Sequence, residues 1–279
     1  MRILVLGATG FLGGYLLDAL ARDHAVVATH HDPDGHDDAT TRYVDLADAA
    51  SVRRLGDGDW DLILHCAGMT DVDACEEEPQ RAWTINVEGT DAVARTVAGK
   101  LVYFSTDYVF DGSKEVVTEA DVPNPLNVYG RTKLEAEERV LRANPSNLVL
   151  RIPFLYGVSP GRDAFLERFA HREVAAPHPV LCNPLYLPDV LAAITALQTM
   201  YGIVHVGGSQ PITRYDFYVA VKEALALNCE IRALPAQMVH PRAARPRASV
   251  LASTRTTFRG RPIGDGLVDL AERIRASRR

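Results

Sequence analysis

The first twenty residues constrain the fold more than any other stretch. Arg2-Ile3-Leu4-Val5-Leu6 is a short apolar run of the kind that forms a buried strand. Gly7-Ala8-Thr9-Gly10-Phe11-Leu12-Gly13 follows at once, and Tyr15, Leu16, Leu17, Ala19 and Leu20 then recur at helical spacing. Strand, glycine turn and helix in this order are the context that a dinucleotide site requires. The glycines let backbone approach a pyrophosphate, and the helix N-terminus faces its negative charge. The spacing is G-x-x-G-x-x-G rather than G-x-G-x-x-G. A tight turn with close helix–strand packing would leave the same trace.

The pattern continues down the chain. Ala25-Val26-Val27-Ala28-Thr29 predicts a second strand. An NAD-binding protein usually carries an acid near the end of this strand, for the ribose 2′-hydroxyl. His30 and His31 stand there instead, so a 2′-phosphate is not repelled and NADPH is expected over NADH, although Asp32 is close by. Tyr43-Val44-Asp45-Leu46 predicts a short third strand, with Asp45 near the adenine. Residues 61–68 predict a fourth, running into the small-residue turn Cys66-Ala67-Gly68. That turn either admits a cofactor or simply ends a packed strand. Residues 76–100 are helical in period, with Trp83, Ile85, Val87, Val93 and Val97 as expected core. Asn86 inside this pattern is either an exposed polar residue or a holder of water or a backbone carbonyl.

Residues 101–104 predict another strand, with Ser105 and Thr106 at its end. Tyr129 and Lys133 are four apart in a segment without breakers, so they share one helical face. A free tyrosine titrates near ~10, and a neighbouring cation favours the phenolate. With a hydroxyl from Thr106 on a neighbouring strand end, this set suits reduction of a ketone or its reverse. The pair alone proves nothing, since most such pairs lie on solvated helix surfaces. Residues 148–152 predict a further strand. The alternation of strands and helices argues an α/β fold, a parallel sheet with helices on both faces. Beyond Gly157 the alternation weakens. Helical patterns at 190–200 and 215–226 remain, and 203–206 is expected to return to the main sheet. The expected division is a nucleotide-binding domain at 1–157, rejoined by about 183–206, and a smaller C-terminal lobe from 158–182 and 207–279.

A chain of 279 residues can bury one large core, or one domain plus a smaller one. The net charge of −6 makes no electrostatic case for nucleic acid. No apolar run approaches a membrane span, and the N-terminus lacks the regions of a signal peptide. Cys66, Cys75, Cys182 and Cys229 contain no C-x-x-C pair, which fits a reducing cytoplasm and no structural zinc. Residues 30–38 hold three histidines and four aspartates. Their polar, Gly- and Pro-containing composition reads as a solvated loop rather than a metal site. The four arginines of 273–279 read as a solvated helix end.

Several runs together resemble the extended short-chain dehydrogenases/reductases, and within them the dTDP-4-dehydrorhamnose reductase family. They are G-A-T-G-F-L-G at 7–13, A-G-M-T-D-V-D-A-C-E at 67–76 and I-N-V-E-G-T at 85–90. S-T-D-Y-V-F-D-G at 105–112, the most specific, is followed by P-L-N-V-Y-G-R-T-K at 125–133 and R-I-P-F-L-Y-G at 151–157. The resemblance is close over the first 157 residues and loose beyond. It implies a Rossmann-like doubly wound sheet with a smaller C-terminal substrate-binding lobe. It implies a reductase taking a nucleotide-sugar substrate and NADPH or NADH. Gly7, Gly10, Phe11, Leu12 and Gly13 would meet the pyrophosphate, His30 and His31 the ribose, and Asp45 and Leu46 the adenine. Cys66, Ala67, Gly68, Met69 and Asn86 would lie on the nicotinamide side. Thr106 and Asp107 would meet the sugar, and Phe154 takes the place of a family tryptophan. Tyr129 would be the acid, and Lys133 would hold the nicotinamide ribose. Arg245-Pro246, within the basic cluster Arg242, Arg245 and Arg247, matches a family Arg-Pro and would hold the substrate's diphosphate, unless it is a solvated loop. The family's D-Q-x-G-x-P-T stretch is replaced by residues 181–189, so the sugar stays open, as does a homodimer. The same resemblance leaves room for a nucleotide-sugar epimerase or dehydratase. It also leaves room for a non-catalytic NADP-binding subunit resembling the regulatory subunit of methionine adenosyltransferase. Asp107-Tyr108 is not the Asp-Glu pair of the dehydratases, and an intact Thr106, Tyr129 and Lys133 favours an enzyme.

Overall fold

A computed structural model describes residues 1–32, 35, 37–160, 165–239 and 242–277. Seven parallel strands form its main sheet: β1 (Arg2–Leu6), β2 (Ala25–His30), β3 (Thr41–Tyr43), β4 (Asp59–His65), β5 (Ala98–Thr106), β7 (Leu148–Ile152) and β12 (Gly202–His205). Their spatial order is β12-β7-β5-β4-β1-β2-β3. The chain runs outward from β1 through β2 to β3, then resumes with β4 on the other side of β1. This reversal opens a crevice at the strand C-termini, the usual ligand position in such sheets. The expected return of 203–206 is borne out, since β12 lies parallel to β7 with Ile203 opposite Val149.

Successive strand residues point to opposite faces, and each face carries its own core. Ile3 and Val5 pack with Leu16 of helix α1 (Phe11–Leu20) and Ile194 of α7 (Leu187–Leu197). Leu4 and Leu6 pack on the other side with Val93 of α5 (Thr90–Thr96) and Val140 of α6 (Val128–Ala143). Helices thus cover both faces, as a parallel sheet buried on each side demands.

Three expectations need correction. The third strand is Thr41–Tyr43, and Val44, Asp45 and Leu46 lie past its end. There the Asp45 backbone is tied down by Ser51, whose hydroxyl donates to the Asp45 carbonyl at 2.7 Å. The helical stretch 76–100 is broken. It runs as α3 (Val72–Glu77), α4 (Pro79–Trp83), a π-helical turn (Thr84–Gly89) and α5, because Glu78 leaves helical geometry and Pro79 starts the next helix. The chain becomes extended at Val97, and residues 98–100 already belong to β5. Trp83 is 36% exposed while Ala82 beside it is fully buried, so the alanine takes the core position.

The remaining strands are short. A four-stranded sheet has the order β13 (Ile212–Thr213), β10 (Leu181–Cys182), β15 (Ala248–Leu251), β6 (Val116–Val117), so an early segment lies beside late ones. β8 (Leu155–Tyr156) pairs with β11 (Leu185–Tyr186), and β9 (Glu173–Pro177) with β14 (Glu230–Leu234). A third, aromatic core sets Tyr156, Phe165, Phe169 and Tyr186 against Phe217 and Tyr218 of helix α8 (Arg214–Ala224), with Leu267 and Leu270 of the last helix, Ile263–Ser277. No described helix is long and apolar enough to cross a membrane.

Candidate active site

A cavity of about 930 Å³ opens above the sheet reversal. Its first wall is the glycine turn. Gly7 adopts φ +77°, a left-handed conformation that favours glycine. Thr29 of β2 accepts a hydrogen bond from the Gly7 N–H at 3.0 Å. A Cβ on Gly13 would stand 2.2 Å from the Gly7 carbonyl oxygen, so only glycine lets α1 start this close to β1. Gly10, the residue before the helix, gives no side-chain cap, and the first N–H groups of α1 stay free for an anion. These features fit a dinucleotide pyrophosphate. Gly13→Ala is expected to lower NADPH affinity at least ~10-fold and stability by about 1–3 kcal/mol, because backbone cannot yield as a side chain does. Fluorescence titration and a thermal melt check both; unchanged NADPH affinity would show that the tight turn is only packing.

Phe11, Leu12, His30, His31, Asp45 and Leu46 continue the same wall. The His30 ring nitrogens lie 3.1 Å from the Asp32 carbonyl and 3.5 Å from the Asp37 carboxylate. Pro33, Asp34 and His36 of the histidine-rich segment lie outside the described residues.

Cys66, Ala67, Gly68 and Met69 line the cavity beyond β4. Asn86 does not line it. The amide is buried behind this wall and holds Met69 from both sides: Oδ1 accepts from the Met69 N–H at 2.7 Å and Nδ2 donates to its carbonyl at 3.0 Å. Nδ2 also donates to Thr132 Oγ1 at 3.0 Å, and Thr132 donates to the Tyr129 carbonyl at 2.8 Å. Of the two alternatives for Asn86, the carbonyl-holding one is observed. It couples the β4 turn to the helix that carries Tyr129.

Thr106, Tyr129 and Lys133 reach this same cavity from β5 and α6. Asn127 caps α6 by accepting from the Gly130 N–H at 2.8 Å. Lys133 is buried, donates to the Phe104 carbonyl at 2.7 Å and lies 4.0 Å over the Tyr103 ring. The Thr106 hydroxyl donates to Asp107 Oδ1 at 3.0 Å, and Asp107 is itself buried. Burial pushes the Lys133 ammonium down to about 7, with Glu137 acting against it. Burial pushes the Tyr129 phenol well up, with hydrogen bonding to Thr106 acting against it. The expectation that a lysine neighbour would draw the phenol toward its anion is therefore corrected. Desolvation dominates, and Tyr129 keeps its proton at neutral pH. A protonated phenol beside a threonine hydroxyl is an arrangement for handing a proton to an oxygen.

Phe154 and Asp107 line the far wall, where two residues missed in the sequence join them: Arg168 and Arg214. Neither belongs to a motif or a spacing pattern that would single it out. Arg245 is elsewhere. Its guanidinium donates to Asp73 Oδ1 and the Ala243 carbonyl, each at 3.0 Å, and it does not border the cavity. Arg242 pairs with Glu77. The acids of α3 thus occupy two of the three clustered arginines, which is why they face away from the cavity.

A family model described as the RmlD substrate binding domain matches residues 1–262. The chain belongs to the RmlD family. This RmlD-family chain is 33% identical over 274 residues to dTDP-4-dehydrorhamnose reductase of Mycolicibacterium smegmatis, covering 93% of the chain and 80% of that protein. It is 35% identical over 246 residues to methionine adenosyltransferase 2 subunit beta of Xenopus tropicalis, covering 81% and 72% respectively. A crystal structure of a dTDP-4-dehydrorhamnose reductase from Clostridium acetobutylicum superimposes with a TM-score of 0.85 at 28% identity, covering 99% of this chain and all of that one. The extended short-chain dehydrogenase/reductase resemblance of the motifs and the Rossmann-like fold are both borne out.

Proposed function

We propose that this protein reduces the 4-keto group of a nucleotide-activated deoxysugar, dTDP-linked as in its reductase relatives, using NADPH. One observation carries it: Thr106, Tyr129 and Lys133 from two separate elements meet in the cavity that the glycine turn opens. A bound nicotinamide supplies the hydride. The glycine turn and the α1 N-terminus hold its pyrophosphate, and Lys133 holds the nicotinamide ribose. Cys66, Ala67, Gly68 and Met69 border the nicotinamide, with Asn86 behind Met69. Asp107 and Phe154 position the sugar. Thr106 turns its hydroxyl from Asp107 to donate a hydrogen bond to the ketone oxygen, and Tyr129 delivers the proton as the alkoxide forms.

The test is consumption of NADPH with a panel of 4-keto nucleotide sugars, followed by identification of the reduced sugar. The 35% identity to a methionine adenosyltransferase subunit supports a second reading, an NADPH-binding regulatory subunit. Tight NADPH binding with no turnover on any panel member would favour that reading. A cytoplasmic homodimer is the setting of the proposal, and sedimentation of the purified protein tests the dimer.

NADPH is expected to bind about 10-fold more tightly than NADH, a difference of about 1.4 kcal/mol. His30 and His31 border the cavity at the end of β2, where an NAD enzyme places an acid. Tighter binding of NADH in a fluorescence titration would overturn this.

A further inference from the structure

Arg214 is a buried cation with no ion-pair partner among the described residues. It is the first residue of α8, 9% exposed, and borders the cavity. Its Cζ lies 3.6 Å from the centre of the Phe154 ring. Its Nε has no hydrogen-bond partner, and among the described residues no carboxylate pairs with it. Asp107 acts on it electrostatically but does not pair with it. Arg168 reaches the same ring, with Cζ 5.5 Å from its centre, and also lacks a described acidic partner. It donates to the Tyr218 hydroxyl and is otherwise exposed.

An unpaired buried charge is costly, and attraction to an aromatic ring recovers only part of that cost. Cys182, Tyr218 and Tyr108 are the other polar neighbours acting on Arg214, and burial pushes Cys182 and Tyr108 toward their neutral forms. Among the described residues no carboxylate pairs with the buried Arg214 guanidinium, which leaves its position at the cavity suited to an anionic ligand. We infer that Arg214 and Arg168, set on Phe154, form an anion subsite that takes a phosphate or carboxylate group of the second ligand. A guanidinium fork offers two parallel N–H groups to two such oxygens. The inference rests on the proposed function in placing a nucleotide sugar here. That ligand has two sources of the anion, the diphosphate and an acid group on the sugar.

Calorimetry on the full-length protein separates them, with dTDP, UDP-glucose and UDP-glucuronate as probes. Arg214→Met is expected to weaken dTDP binding about 10- to 100-fold if the diphosphate sits here. If the sugar acid does, dTDP and UDP-glucose are unaffected and UDP-glucuronate alone loses that factor. Arg214→Lys should fall between native and Met, since it keeps the charge but not the fork. NADPH affinity should stay unchanged in each. Arg168→Met, at an exposed position, provides the same readout should Arg214→Met not fold. Native affinity for all three probes in both folded Met variants would overturn the subsite. Binding of dTDP that depends on Arg214 in a protein that reduces no keto sugar would sink the reductase proposal and leave the subsite standing.

Discussion

Tyr129→Phe is expected to fold normally, bind NADPH as the native protein does, and lose about 10²–10⁴-fold in turnover, the usual worth of a general acid. The ring is held by packing that the change preserves, including an edge contact to Tyr108 at 6.2 Å between centroids. Asn127 and the Thr132 link to the Tyr129 carbonyl keep the first turn of α6 in place. What disappears is the Tyr129 hydroxyl, which burial keeps protonated. Lys133→Met should differ by weakening NADPH binding as well, since Lys133 is assigned to the ribose. Thr106→Val should fall between, losing a hydrogen bond to the substrate but no proton. Single-turnover rates and NADPH titrations on the three variants supply the ordering. Near-native turnover of Tyr129→Phe on a sugar that the native protein reduces would remove Tyr129 from the chemistry.

Glu137→Ala is expected to destabilise the protein by about 3–5 kcal/mol, the cost of breaking a buried ion pair by removing one partner. Glu137 and Arg151 are 1% and 2% exposed and meet in a two-pronged pair, with Arg151 Nη2 donating at 2.6 Å and Nε at 2.9 Å. Ser105 donates to the same carboxylate, and Arg151 Nη1 lies 3.4 Å from His205 Nε2. The network therefore fastens α6 to β5, β7 and β12. Lys133 and Glu137, one helical turn apart, bind the adjacent residues Phe104 and Ser105, and Thr106 is next in line. Arg151 would be left buried and unpaired by the substitution. For a chain near this size the melting temperature should fall on the order of 10 °C. Replacing both partners, Glu137→Gln with Arg151→Met, should recover much of the loss, because no orphaned charge remains. A single variant that costs less than about 1 kcal/mol in chemical denaturation would show that the pair contributes little.

Whatever contiguous windows encode can be read without the structure. The β1–turn–α1 unit, the alternation of strands and helices and the shared face of Tyr129 and Lys133 all follow from spacings of a few residues. Such spacings map directly onto one strand or one helical turn. The return of residues 203–206 to the sheet is legible as one more short strand-like run. The rest depends on how distant segments pack. Arg245 is drawn from the cavity by Asp73, 172 residues earlier, while Arg214 takes a place there that no local pattern marks. Asn86 is buried against Met69 and Thr132, the latter 46 residues later, rather than solvated. The protonation of Tyr129 and the depressed Lys133 likewise depend on how much of the chain closes around them. Desolvation and long-range pairing are sums over atoms from many elements, so they become defined only when those elements pack.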